Sequence, residues 1–170
     1  MTYVDNDLRL ADGLSLVGAA PVETPTGSVI DLAGLDPDGS TVLSHRDVGL
    51  GEGLSVQVYP GTALDNATSM TVKVVLSAST SLTSVVVLGQ SHAILLADWN
   101  DSEKWPFIVR IGPNPDMDDM DPADATSLRY LGLHFVEDGT NPTAGTVTAD
   151  LVIGSEQSPR RFYPTKSKVL

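Results

Sequence analysis

The chain has 170 residues and a mass of 17.9 kDa. That is the size of one domain and enough to bury roughly 70% of the unfolded surface. Its 22 acidic side chains outnumber ten basic ones, for a formal charge of −12, which excludes a protein that binds nucleic acid through a basic surface. With no cysteine, disulfide frameworks, thiolate metal sites and cysteine nucleophiles are excluded as well.

The first segment, residues 1–27, shows no convincing strand and reads as an extended N-terminal arm. Asp5, Asp7 and Asp12 stand there against Arg9 alone, unlike the positive start and apolar run of a secretory signal. Val29 to Leu32 is a short strand. Gly49-Leu50-Gly51-Glu52-Gly53 resembles a phosphate loop only superficially, because it feeds a strand rather than a helix and Glu52 would repel phosphate. It reads as a tight turn or bulge.

From there the dominant period is two. Leu54, Val56 and Val58 alternate with Ser55 and Gln57, and Met70, Val72, Val74 and Leu76 with Thr71, Lys73 and Val75. Such alternation places one face of each strand on a core and the other toward water. Val74 to Ala97 carries no charge over 24 residues, but it holds seven Ser or Thr together with Gln90 and His92. It therefore reads as strands joined by Ser/Thr-rich connections rather than as a membrane span. Within it, Val85–Leu88 and Ala93–Leu96 are continuous apolar runs, and Gly89-Gln90-Ser91 predicts a hairpin or bulge between them. Phe107, Val109 and Ile111, then Leu131, Leu133 and Phe135, then Val147, Ala149, Leu151 and Ile153 complete the alternating segments.

About eight strands result. No window carries a sustained apolar stripe at helical spacing, and 15 Gly and 11 Pro punctuate the chain. The expected fold is all-β: a single antiparallel β-sandwich or jelly roll over residues 28–154. It is followed by a basic tail, residues 155–170, where Arg160, Arg161, Lys166 and Lys168 face Glu156 alone. The tail is +3, so residues 1–154 carry −12 − 3 = −15. Such a tail is either disordered or pinned to an acidic surface, its own or a partner's.

No catalytic or cofactor-binding residue stands out. Asp116, Asp118 and Asp121 belong to a run of five carboxylates that could in principle wrap calcium. The run lacks the Gly and closing Glu of an EF-hand loop and reads as a solvated loop tip. His45, His92 and His134 lack zinc-site spacing, and Gly-x-Ser-x-Gly is absent; the three read as structural histidines. Trp99 and Trp105 bracket a polar loop. They are either a sugar-stacking platform or side chains packed against the sandwich or at a protein interface.

Three blocks carry a family likeness. They are Val4-Asp5-Asn6-Asp7-Leu8-Arg9-Leu10 leading to Val29-Ile30-Asp31-Leu32, then Arg46 through Val58, then Arg129-Tyr130-Leu131-Gly132-Leu133-His134-Phe135 with Gly139 to Val152. In this order they resemble the jelly-roll capsid cement, or decoration, proteins of tailed bacteriophages. The chain departs from that pattern in a longer connection through Trp99–Asp124 and in the basic tail. The resemblance implies a non-enzymatic structural protein on the outer surface of the virion capsid, without cofactor or metal. Its partners would be the phage major capsid protein and further copies of itself, a trimer before a dimer, with no nucleic acid and no membrane. Expected interface residues are Leu8, Leu10, Trp99, Trp105, Arg160, Arg161, Phe162 and Tyr163. The alternative is a carbohydrate-binding β-sandwich using Trp99 and Trp105.

Overall fold

The computed structural model describes residues 8–32, 54–112 and 128–152. Among these residues ten strands form two antiparallel sheets: β1 (Arg9–Ser15), β2 (Val22–Glu23), β3 (Ile30–Asp31), β4 (Ser55–Pro60), β5 (Ala67–Ser77), β6 (Val86–Gln90), β7 (Ile94–Leu95), β8 (Phe107–Arg110), β9 (Tyr130–Gly139) and β10 (Thr146–Val152). The one α-helix among the described residues, α1 (Leu96–Trp99), is a single turn, and no helix there is long and apolar enough to cross a membrane.

One sheet has the order β1-β10-β4-β8 and the other β2-β9-β5-β6. β3 extends β2's line along β9, and β7 extends β6's line along β5. Each sheet thus has four rows, and the chain changes sheet at every step except from β2 to β3 and from β5 through β6 to β7. That double Greek-key order is a jelly roll.

The predicted strands occur in phase over the described residues, except that of Ala93–Leu96 only Ile94–Leu95 is strand and Leu96 begins α1. Val56 and Val58, Val72, Val74 and Leu76, Val109, Leu131, Leu133 and Phe135, and Val147 and Ala149 point into one core between the sheets. Each aliphatic side chain buried there contributes about 1.5–3 kcal/mol. The expected break at Gly89 is a bulge in β6. Val74 pairs with Gly89 and Val75 with Val87, so Leu88 is the extra residue.

Two expectations need correction. Residues 1–27 are not an arm from Leu8 onward, because β1 and β2 lie in that stretch as strands of the two sheets, and Leu10, Ala11 and Leu16 are fully buried. The period-two signal fails there because β1 shifts register twice against β10, between Arg9 and Ala11 and between Ala11 and Leu14. Two adjacent residues, Leu10 and Ala11, are consequently both buried. The second correction concerns the outer face of the first sheet, where Ser55, Gln57 and Asp150 were expected to meet water and are instead buried.

The two ends of the sandwich differ. At one end the loops at residues 16–21, 61–66, 100–106 and 140–145 lie together. At the other, Leu8, Leu32, Leu54, Gly112, Leu128 and Val152 gather. The pairings Arg9–Asp150, Ser55–Val152, Ser55–Arg110 and Ser77–Tyr130, and hydrogen bonds from Ile111 N to Leu54 O (3.0 Å) and from Leu32 N to Arg129 O (2.8 Å), fix that second end.

Candidate interaction surface

The described interface candidates are Leu8, Leu10, Trp99 and Trp105. Leu10 and Trp99 are both 0% exposed, so neither presents a surface to a partner, which corrects that expectation. Trp99 ends α1 and stacks on Phe107, with centroids 5.6 Å apart and planes at 16°. Trp105 is part-buried, and its Nε1–H donates to Trp99 O at 2.8 Å. The pair is a packing unit, one ring in the core and the other tied to its backbone, and it leaves no two-ring platform for a sugar. Leu8 is part-buried against the core. Arg160, Arg161, Phe162 and Tyr163 lie outside the described residues, as do Asp116, Asp118, Asp121, His45 and the glycines at 49–53. Among the described residues no group of three or more His, Asp or Glu side chains could hold a metal ion.

The first end of the sandwich is closed by its own hydrogen bonds. Asp65 Oδ1 accepts from Thr143 N (2.7 Å) and Ala144 N (2.8 Å), and its Oδ2 accepts from Thr143 Oγ1 (2.6 Å). Those bonds hold the Asp65 carboxyl below its usual range. Asn100 exchanges two bonds with the backbone of Leu64, at 2.8 and 2.9 Å. Leu16 N and Gly18 N donate to Gly145 O and Pro142 O, and Ala20 N donates to Glu137 Oε1 at 2.9 Å. Four connections distant in sequence become one plate, acidic through Asp98, Asp101, Glu103, Glu137 and Asp138, with Lys104 paired to Asp98.

The opposite end is bound by ion pairs. The Arg129 guanidinium donates through Nε to Asp31 Oδ1 at 2.9 Å and through Nη2 to Oδ2, a bidentate grip between β3 and the start of β9. It also lies 5.0 Å from the centre of the Tyr130 ring.

The outer face of the first sheet carries a polar row. Arg9 Nε donates to the buried Asp150 at 3.0 Å, Asp150 is paired in register with Gln57, and Tyr59 Oη donates to Gln57 Oε1 at 2.6 Å. Burial, and then the charge of Asp150, pushes the Tyr59 phenol up. Ile108, across from Gln57, and Tyr59 supply the exposed apolar area of this face. On the second sheet Val87 and Leu95 are exposed on the outermost strands β6 and β7. Nothing in the sequence marks the buried row, because Ser55, Gln57 and Asp150 alternate like ordinary solvent-facing positions.

No family model matches this chain, and no curated protein matches it.

Proposed function

We propose that this chain is a structural virion protein, a capsid cement or decoration protein. It would bind the outer face of a tailed-phage capsid and stabilise the shell by bridging neighbouring major capsid subunits. The observation that carries the reading is the polarity of the jelly roll. Leu8 and Val152 emerge at the same end, so the N-terminal residues and the basic tail depart from one side of a sandwich whose other end is tied shut. The three sequence blocks that resemble phage cement proteins support the same role.

The bridging mechanism rests on charge and reach. Residues 155–170 carry +3 against −15 for the rest. Extended, those 16 residues span up to about 55 Å, enough to reach a neighbouring subunit. Copies joined as a trimer would present three tails at once, so each contact can be weak while the assembly holds.

Light scattering on a sizing column tests the self-association, and co-sedimentation with expanded shells of a tailed-phage major capsid protein tests the binding. The reading expects one species at three times the 17.9 kDa chain mass, together with saturable co-sedimentation that falls on deletion of residues 155–170. A monomer that never sediments with shells overturns it.

A further inference from the structure

The connection from β5 to β6, residues 78–85, folds back over the outer face of the second sheet. Leu82 at its tip is 1% exposed and sits on Gly132 of β9, where an added Cβ would come within 2.5 Å of Leu82 Cδ1. Leu82 and Ser84 hold φ values of 48° and 54°, a left-handed backbone that non-glycine residues adopt only when the surroundings impose it. Short local bonds shape the loop: Ser77 Oγ donates to Thr83 O (2.6 Å), Ser79 N to Ser77 Oγ (3.1 Å) and Leu82 N to Ser79 O (3.0 Å).

Beneath this loop lies His134, 8% exposed. Its ring is hydrogen-bonded to the backbone of Leu82. Its Nε2 is buried without a hydrogen-bond partner among the described residues, with Glu23 Oε1 3.4 Å away. The ionisable groups facing the ring are Glu23 from β2 and Lys73, its cross-strand neighbour on β5. Residues 78–85 contain no ionisable side chain.

We infer that the 78–85 loop is an acid-released lid latched over His134, closed while the imidazole is neutral and opened when it takes a proton. A charged ring under Leu82 and beside Lys73 is poorly solvated, and lifting the loop returns it to water. Glu23 and the bond to the Leu82 backbone oppose the release, because each favours the charged ring where it stands. The balance favours opening: burial outweighs both pulls and holds the His134 ring below its usual pKa.

Native-state hydrogen exchange of the 79–85 amides, corrected for intrinsic rate and read from pH 7.5 to 5.0, tests the lid. Protection of the Leu82 amide should fall on acidification by up to about tenfold per pH unit, the limit for one proton, while the central amides of β5 and β9 hold theirs. His134→Gln should abolish the pH dependence, and Glu23→Gln, at a half-buried position, should deepen it. Protection that stays flat with pH in the unaltered protein overturns the lid. So does an equal fall in His134→Gln, or a response in Glu23→Gln no deeper than in the unaltered chain.

Discussion

Gly89 shows how tightly one backbone position is specified. It belongs to the bulge of β6, where the edges of the two sheets meet, and an added Cβ would lie 2.1 Å from Arg110 O. The obstruction is backbone and cannot rotate away, so Gly89→Ala should cost about 3 kcal/mol, read as a lower urea midpoint at unchanged m-value. Asp65 makes a pH prediction at the same scale. Its folded pKa is lowered by the bonds from Thr143 and Ala144. The unfolded chain therefore takes up the proton first as pH falls below about 4. The stabilisation is complete above that value and is lost as pH drops through the folded pKa. The Asp65 carboxyl carbon should titrate below a free aspartate, and Thr143→Val should bring its midpoint back toward normal.

Among the elements, the eight alternating or apolar segments were legible because their inward positions are aliphatic and their turns are marked by Gly, Pro and Ser. β1 was not legible. Arg9-Leu10-Ala11-Asp12-Gly13-Leu14-Ser15 shifts register twice, and Gly13 takes φ 59°, so its burial follows β10 rather than its own period. β2 is two residues long, too short to show a period at all. The β5–β6 lid was read only as a Ser/Thr-rich connection, yet Leu82 is as buried as the core. Leu82→Ala should cost about 2–3 kcal/mol from lost burial and the space left over Gly132, measured by denaturant melts. The same change should lower the exchange protection of Ser79–Val85 more than that of β10.

For the whole molecule, the closed loop end and the gathered chain exits give a body with two unlike ends. If the exits carry the shell contacts, loss of the tail and damage to the loop plate separate cleanly. Deleting residues 155–170 should lower occupancy on shells without moving the thermal midpoint. Asn100→Ala, which removes both bonds to Leu64, should instead lower the midpoint by a few degrees and leave shell binding intact. For two of the candidate interface residues, the sequence did not tell exposure. Leu10 and Trp99 are apolar residues near polar neighbours, which suits an interface and a core equally.

By itself the sequence determined the fold class, since period-two burial and frequent turns leave a two-sheet sandwich as the arrangement that hides one face of every strand. It also determined the charge split between body and tail, because net charge depends on composition alone. Only the tertiary structure decided the jelly-roll order, because pairing partners such as β1 with β10 lie more than a hundred residues apart and no local pattern encodes them. It likewise decided that Asp150, Gln57 and His134 are buried and that Trp99 is core. Burial on an outer sheet face depends on what folds back across it, and that is a property of neighbours in space rather than in sequence.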